Sequence, residues 1–488
     1  MILPFGEWIP DLPEHMNPGS TEAKNVFPAV NSYRPFKNIT ATSSNATTAR
    51  GQGGRAFKSD SGVVSIFAGD KTKLYKLTSN AFVDESGGTT FATEDNGYWD
   101  FIRFGEVVVA FNGANAPQAW TLDSSNDFAA LAGSPPTFRH AAVVGNFVVT
   151  GFQPTLQNKV QWSSFNSPTS WTAGVNQSDS ETLPEGGVIT GVTGGQFGLI
   201  FQESRITRLD YRCGNVVFSF RRIEDNRGAV QGKNVIQVGN LVYFLSEDGF
   251  YVTDGSSSRP IGANKVDRFF NDDLKFHLRE RVRASYDHVN KLVMWSYPSA
   301  TGSNSNTQND KILIYHIASE RWSIVELDHE CMVDILSPGF TLEELDDFPT
   351  AGTNDIDAIT ISLDDAFFIG GYRSLGVFNT DHKLGSFTGD SLAAVITTAE
   401  TELVPQNRSL VTHVRPIIDT DDATGSLSFR NRVADTVSTT GNTPMHATGT
   451  IPFHKSARYF KFNLQIPAAT TWSDAQGIDI EAIKEGYR

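Results

Sequence analysis

Four acidic side chains are the positions at which this chain could carry out acid–base chemistry: Glu203, Asp210, Glu247 and Asp248. Two carboxyl groups about 5 to 10 Å apart can cleave a glycosidic bond, one as the acid and the other as the base or nucleophile. Asp210 and Asp248, however, stand where a hairpin requires a strand-end or turn residue. The residues around Asp248 match only part of the Asp-box of sialidases, because the glycine and tryptophan spacing of that box is not met. The pattern favours structural carboxylates, and we expect no enzyme activity and no catalytic residue.

Two further motifs resemble ligand-binding loops without meeting their requirements. The stretch GQGGRA from Gly51 fits the loose dinucleotide pattern, but no hydrophobic strand precedes it and no helix follows, so we expect no nucleotide site. The run from Asp419 to Asp422 begins like a calcium loop. Ala423 and Thr424 then occupy positions that need a ligand and a glycine, which predicts a polar turn.

The histidines also give no metal pattern. All ten are scattered, and His288, His316 and His329 are expected at strand ends or in loops, because none pairs at metal-ligand spacing. We therefore expect no metal and no cofactor.

Cysteine and tryptophan side chains are expected to pack in the interior. Cys213 and Cys331 are far apart and form no CxxC, which predicts unpaired core thiols. Trp162 and Trp171 could stack on sugars, but aromatic side chains of this kind more commonly fill the space between packed sheets.

A recurring hairpin must position all of these side chains. Its clearest copy, VGNLVYFLSEDGFYVTDG, starts at Val238, and its Gly-Asn and Asp-Gly pairs supply the positive φ of tight turns. Further copies start at Phe104, Val144, Gly194 and His288, and weaker copies start at Ser61 and Asp364. An interval of roughly 40 to 50 residues is typical of β-propeller blades, and radial closure protects the edges of such small sheets. Six or seven blades are predicted.

Helical patterns are rare in this chain. KVDRFFNDDLKFHL places Val266, Phe269, Phe270 and Leu274 on one helical face, which indicates packing. TLEELDD, from Thr341, has the form of a capping box and predicts one helical turn.

These patterns predict an all-β chain in three parts. Residues 1–60, rich in Pro, Asn, Gly, Ser and Thr, are predicted to be an extended N-terminal arm on the body or on a neighbouring subunit. Residues 61–383 are predicted to be the β-propeller, with an acidic insertion near 329–357. Residues 384–488 have longer alternating strands and are predicted to be an antiparallel β-sandwich. Arm and insertion are expected at the periphery, in subunit or partner contacts.

Composition limits the class of protein. At 488 residues the chain can bury a large core. Its net charge of −15 argues against a general nucleic-acid-binding surface, which would be basic. The N-terminus has no basic segment followed by an apolar run, so we expect no signal peptide. No stretch reaches the roughly 20 apolar residues that a membrane span needs.

Several stretches, taken in order, carry a resemblance to a known family. They are GEWIPDLPEHMNPGSTEAKNVFPAVNSYRP, WSSFNSPTSW, FLSEDGFYVTDG, PIGANKVDRFF, FTLEELDD, IDAITISLDD, GVFNTDHKLGSFTG, RSLVTHVRPIID, TGTIPFHKSARYFKFNLQIP and TWSDAQGIDIEAIKEGYR. In this order the chain resembles the packaged-DNA stabilisation or tail nozzle proteins of short-tailed bacteriophages. The motif positions look structural, so the resemblance assigns no contact residue.

The resemblance implies a structural protein of the virion tail, made in the host cytoplasm. It implies a homo-oligomeric ring, expected to be a hexamer, below the portal and its adaptor protein, which retains packaged DNA and conducts it during ejection. Double-stranded DNA would pass through the lumen without sequence-specific binding, and tail fibres or tailspikes are further candidate partners. The alternative is a glycan-binding or glycan-cleaving β-propeller at the host surface.

The acidity suggests how a nozzle would let DNA slide. Basic side chains on the tube wall would bind phosphates and retard passage. Carboxylates repel DNA over a Debye length of roughly 8 Å at physiological salt. We therefore expect the lumen-facing loops of the ring to be net acidic or neutral, although the acidity could equally serve only solubility.

Overall fold

The structure, a computed structural model, describes residues 1–212, 214, 216–302, 308–336 and 371–486. Strands make up 50% of it and helices 3%. The expectation of an all-β chain is confirmed.

Five short strands precede the repeated units: β1 (Ile2–Pro4), β2 (Ser20–Lys24), β3 (Val26–Pro28), β4 (Tyr33–Pro35) and β5 (Thr40–Ala41). Blade 1 consists of β6 (Gly53–Lys58), β7 (Val64–Gly69), β8 (Leu74–Thr78) and β9 (Ala81–Asp84). Blade 2 consists of β10 (Asp100–Phe104), β11 (Val107–Phe111), β12 (Gln118–Thr121) and β13 (Ala129–Ala130). Blade 3 consists of β14 (His140–Val144), β15 (Phe147–Gln153), β16 (Leu156–Trp162) and β17 (Asp179–Thr182).

Blade 4 consists of β18 (Ile189–Thr193), β19 (Phe197–Gln202), β20 (Arg205–Tyr211) and β21 (Phe218–Asp225). Blade 5 consists of β22 (Ile236–Val238), β23 (Leu241–Ser246), β24 (Gly249–Thr253) and β25 (Ser258–Pro260). Blade 6 consists of β26 (Arg283–Asp287), β27 (Leu292–Tyr297), β28 (Asn309–His316) and β29 (Arg321–His329). Blade 7 joins β30 (Cys331–Leu336), β31 (Arg373–Phe378) and β32 (Leu384–Ser386) to β5. The described residues thus form seven four-stranded blades, and a strand from near the N-terminus completes the last blade.

The remaining strands are β33 (Ala394–Thr398), β34 (Thr401–Glu402), β35 (Ser409–Ile418), β36 (Thr424–Arg430), β37 (Ser438–Thr439), β38 (Thr443–Pro444), β39 (Ile451–Ala457), β40 (Tyr459–Ile466) and β41 (Ala475–Lys484). The helical segments are α1 (Asp267–Asp273) and two 3₁₀ turns, Glu14–Met16 and Phe276–Arg281.

The predicted hairpins of blades 1 to 6 are confirmed as the two middle strands of each blade, whereas residues 364–370 of the weaker copy from Asp364 lie outside the described residues. In the turns that precede three of these hairpins, Gly105, Gly145 and Gly239 have φ of 59°, 56° and 62°, and the last two begin Gly-Asn pairs, as predicted. The first strand of each blade lies at the axis of the ring. Neighbouring first strands run parallel, as the pairing of Asp334 with Arg55 and of Lys233 with Arg283 shows.

Apolar side chains fill the space between neighbouring blades. Trp162 is buried between blades 3 and 4, where its ring meets that of Phe218 at a centroid distance of 5.2 Å. Trp171 is buried between blades 2 and 3. Both tryptophans pack between blades, as expected, and are not displayed on the surface.

The N-terminal residues differ from the expected peripheral arm. β1 pairs with β41, β2 lies between β29 and β33, and β5 closes blade 7. Phe5, Trp8, Val26 and Tyr33 are buried in a core shared with the C-terminal strands. Apolar side chains of this size are stable only inside a core, and the long-range strand pairing provides one.

The C-terminal strands form two sheets, and neither sheet consists of C-terminal strands alone. One sheet has the order β3-β4-β41-β35-β39, with β1 on β41, and the other continues blade 6 in the order β2-β33-β40-β36-β37. Val414 and Ile480 from the first sheet share a core with Leu427 and Phe462 from the second. Both sheets therefore contain N-terminal strands in addition to residues from the predicted 384–488 domain.

The observed blades also shift the predicted boundaries. Apart from β5 at Thr40–Ala41, the blade strands run from Gly53 to Ser386, against the predicted range 61–383. Within the predicted insertion 329–357, residues 331–336 are the first strand of blade 7. Residues 337–357, with the predicted turn at Thr341, lie outside the described residues.

A candidate anion-binding channel

A cavity of about 690 Å³ follows the axis of the propeller. Residues from the first strands of all seven blades line it. These strands bring together side chains that are up to about 300 positions apart in sequence, such as Arg55 and Asp334. The site therefore depends on closure of the ring.

The lining of this channel is basic although the chain is acidic. Its cations are Arg55, Lys58, Arg103, Lys233, Arg283 and Arg373, and its carboxylates are Asp100 and Asp334. Six positive side chains against two negative ones leave the described lining with an excess of positive charge. The whole chain has a net charge of −15, so the channel has the opposite sign to the rest of the surface.

Arg283, the first residue of β26, is the most buried of these cations, with 5% of its surface exposed. Its guanidinium group donates to the backbone oxygens of Glu280 (3.0 Å) and Gly97 (3.3 Å) and lies over the Tyr98 ring at 4.4 Å. No described carboxylate is within 4.0 Å of it. Burial lowers the pKa of Arg283 to about 10, so the side chain keeps its charge at neutral pH.

Arg55 of blade 1 and Lys233, which precedes the first strand of blade 5, both lie near Asp100 of blade 2. Lys233 Nζ is 2.5 Å from Asp100 Oδ1, whereas Arg55 donates to the backbone oxygen of Phe101 at 3.0 Å. Burial raises the pKa of Asp100, but the charges of Lys233 and Arg55 outweigh burial and the net shift is downward. Asp100 therefore carries one negative charge beside two positive ones, and its ion pair is with Lys233.

Tyr98 and His140 form a neutral polar pair at the end of the channel near Asp100. The hydroxyl of Tyr98 lies 3.0 Å from Nδ1 of His140, and both side chains are buried. Burial lowers the pKa of His140 to about 3, so the imidazole is neutral and adds no positive charge at physiological pH. A side pocket of about 50 Å³ opens beside the pair, which is enough for a bound water.

The other end of the channel is formed where the first strands finish. Arg103 is neutralised by Asp60 at 2.8 Å and by Glu106. Lys58 and Arg373 have no carboxylate partner among the described residues, and His288 lies close by. Burial lowers the pKa of His288, which favours the neutral ring.

The four acidic side chains considered first are all outside this channel. Asp248 accepts from the Tyr251 hydroxyl at 2.7 Å and pairs with Arg227 at 3.2 Å, and Asp210 pairs with Arg208 at 2.8 Å.

Glu203 accepts from the amide of Gln231 at 3.2 Å, and Glu247 lies beside Asp248 in the β23–β24 turn. The structure gives these carboxylates turn and ion-pair contacts and does not gather them in the cavity.

The other motifs also have structural roles. The GQGGRA stretch enters β6 and then a second strand, and Gly51 N donates to Glu330 at 2.7 Å. Asp419 accepts from the backbone of Ser473 at 2.9 Å, in a polar turn.

His316 and His329 end strands, as expected. The Cys331 thiol is free and buried, and burial raises its pKa to about 12. Cys213 lies outside the described residues. In the part of the chain that is described, no three His, Cys, Asp or Glu side chains form a metal-binding group, and no helix is long and apolar enough to cross a membrane.

Sequence reasoning missed Arg55, Lys233 and Arg283. A usable signal was present, because each lies in or just before the strand that precedes a recognised hairpin. These first strands are short and less apolar than the hairpins, so they gave no strand pattern of their own. Once the hairpins are placed in a ring, the preceding strand must be the innermost one.

Comparisons with known proteins concern only the fold. No protein-family model matches the chain, and no curated protein matches it. A solved structure of the mitotic checkpoint complex is similar at 8% identity with a TM-score of 0.40, covering 73% of this chain and 92% of that one. The Pan2 WD40 domain of Neurospora crassa is similar at 10% identity with a TM-score of 0.38, covering 72% and 96%.

Proposed function

We propose that this protein is a structural subunit of the tail nozzle of a short-tailed phage. In this role it forms a ring below the portal and adaptor, retains packaged DNA and conducts it during ejection. The observation that supports the proposal is spatial. Three stretches that carry the family resemblance, at the start, middle and end of the chain, meet at the junction between the propeller and the C-terminal sheets.

Contacts at this junction join the first and middle stretches. The Trp8 ring packs edge-on against Phe269 at a centroid distance of 5.1 Å. The carboxylate of Asp11 accepts from the backbone N–H groups of Arg268 (2.9 Å) and Phe269 (2.8 Å). Lys265 pairs with Glu7 at 2.7 Å. These bonds fix the N-terminal segment on helix α1.

Further contacts join the first and last stretches. Ser32 donates to Asp474 at 2.6 Å, and Pro4, two residues before the first stretch, pairs with Gly477 in the β1–β41 ladder. A Cβ atom on Gly477 would lie 2.5 Å from the backbone oxygen of Leu3, so this position requires glycine. A ring subunit that resists the pressure of packaged DNA needs a rigid joint between its propeller and its C-terminal sheets, because a hinge there would let the tube deform.

The alternative, a glycan-cleaving propeller, has less support. Such an enzyme needs two carboxyl groups facing one pocket. The four candidate carboxylates bind neighbouring side chains or form turns away from the channel, and the channel is predominantly basic. We therefore retain a non-enzymatic role.

Mass measurement on the purified protein, alone and with the adaptor complex, tests the proposal. We expect a ring of about six subunits on the adaptor. Asp11→Ala should reduce incorporation into tails, whereas Asp60→Ala, which alters an exposed carboxylate of blade 1, should not. A monomer that never joins the adaptor and releases sugars from host polysaccharide would overturn the proposal in favour of the enzyme.

A structure of the assembled ring would show which charged side chains face its lumen. We expect lumen-facing loops that are net acidic or neutral, so that DNA slides without adhering. Several lysines or arginines per subunit at the narrowest section would instead indicate electrostatic clamping.

A further inference from the structure

The channel contains a buried charge that the described protein does not neutralise. Arg283 is 5% exposed, and its contacts are backbone oxygens and the face of Tyr98. Buried charges in proteins are normally paired, because an ion that loses its hydration is destabilised unless a counter-charge compensates. An anion bound in the channel would supply that counter-charge.

Arg55 adds a second cation without an ion-pair partner to the lining of the same channel. Its guanidinium group has a backbone acceptor, the oxygen of Phe101, and lies 5.6 Å from the centroid of the Phe57 ring. Asp100 is already bound to Lys233 at 2.5 Å, and Asp334 makes no ion pair with Arg55 within 4.0 Å. Arg55 of blade 1 and Arg283 of blade 6 both line the cavity, and the stretch from Tyr98 to Asp100 interacts with both: the Tyr98 ring lies under Arg283, and Asp100 feels the charge of Arg55.

The volume and the residue types narrow the class of ligand. About 690 Å³ lies in the range of roughly 300 to 1,000 Å³ found for small-molecule sites. The planar fork of arginine matches the oxygens of phosphate, and several cations favour a ligand with more than one negative charge. We propose that the propeller channel binds a small polyanion of the phosphate class, with Arg55 and Arg283 as its principal ligands.

This binding is separate from the proposed tail function. It requires only the closed propeller, so each subunit would bind one ligand whether or not it belongs to a ring. The overall charge of −15 repels anions from the outer surface, which restricts binding to the channel.

Isothermal titration of the full-length protein with sodium tripolyphosphate tests the proposal. We expect one site per chain with a dissociation constant on the order of 10 μM in low salt. Arg283→Met and Arg55→Met should each weaken binding at least about tenfold. Arg415→Met, at an exposed arginine of β35 outside the channel, should leave it unchanged.

A variant that binds tripolyphosphate more tightly distinguishes a change in the binding site from a loss of folding. Asp100→Asn removes the acid that neutralises Lys233, so this variant should bind tripolyphosphate several-fold more tightly than the wild type. Such a gain cannot come from a damaged fold, and thermal unfolding of each variant would show whether it is folded.

Three results would overturn the inference. They are the absence of binding by the folded wild type, equal affinity of folded Arg55→Met and wild type, and weaker binding by Asp100→Asn. Citrate serves as a carboxylate comparison. Affinity for citrate equal to that for tripolyphosphate would reject the phosphate class.

Discussion

Replacing Asn25 by alanine should destabilise the joint between the propeller and the C-terminal sheets. Asn25 follows β2 and is buried. Its Oδ1 accepts from the backbone N–H of Glu326 at 2.8 Å, and its Nδ2 donates to the backbone oxygen of Ala393 at 2.8 Å. One side chain therefore binds blade 6 on one side and the approach to β33 on the other.

The expected loss of stability follows from these contacts. Alanine would leave the N–H of Glu326 and the oxygen of Ala393 without partners, at about 1 kcal/mol each. Asn25 also has φ of 59°, a conformation that costs alanine roughly 1 kcal/mol more. Together the free energy of unfolding should fall by about 3 kcal/mol. Asn25→Gly, which accepts this φ but makes no side-chain bond, should lose about 2 kcal/mol.

Urea unfolding, followed by tryptophan fluorescence, measures these differences. Asn80 is the matched control, because it has φ of 58°, is exposed, and its side chain makes no hydrogen bond to a described residue. Asn80→Ala should therefore show only the backbone term, about 1 kcal/mol or less. If Asn25→Ala were no less stable than Asn80→Ala, the two bonds at the joint would contribute nothing and our account of the joint would be refuted.

Three other substitutions test particular contacts. Lys311→Met should cost about 3 to 5 kcal/mol in urea unfolding, because it leaves Asp273, 2.8 Å away, buried and unpaired, and the double variant with Asp273→Asn should recover part of the loss. Burial raises the pKa of Asp267 to about 6, so its folded form binds a proton more tightly than its unfolded form and stability falls as pH rises from about 4 through 6. Asp267→Asn should therefore exceed the wild type by roughly 1 kcal/mol at pH 7, after allowance for solvent screening, and by nothing at pH 3.5; equal stability at pH 7 would contradict this. Asp248→Asn should cost less than about 1 kcal/mol, because the Arg227 pair is half-exposed, and an assay for sugar release should find no activity in either variant or wild type.

The blades could be predicted from sequence because their decisive interactions are local. A Gly-Asn or Asp-Gly turn sets two adjacent strands in register within about fifteen residues, as around Gly239, and the apolar alternation is visible in that window. The closure of the ring could not be seen in the same way. It depends on β5 pairing with β32, more than 340 positions later, and the two residues of β5 carry no strand pattern.

The N-terminal segment illustrates the same limit. Its prolines and glycines predict an interrupted path, and its strands are indeed short, two to five residues each before Gly53. Their destination depended on strands near the other end of the chain, since Leu3 pairs with Ile478 and Ala23 with Ile396. Local propensity contains no information about a partner so distant, so a stretch that looked like an arm becomes part of three sheets.

The net charge of the whole chain does not predict the charge of the channel lining. A net charge of −15 correctly describes the long-range field, and a phosphate compound approaching the outer surface is repelled by it. Within the channel, the low-dielectric walls strengthen nearby charges and exclude the screening ions that weaken interactions across the surface. A few arginines on first strands can therefore determine the sign of the potential there, even though acidic residues outnumber basic ones by 55 to 40. Four basic side chains from separate blades, Arg55, Arg103, Lys233 and Arg283, face one axis because the ring closes. The anion preference is thus a property of the fold, and no count over the linear chain could have predicted it.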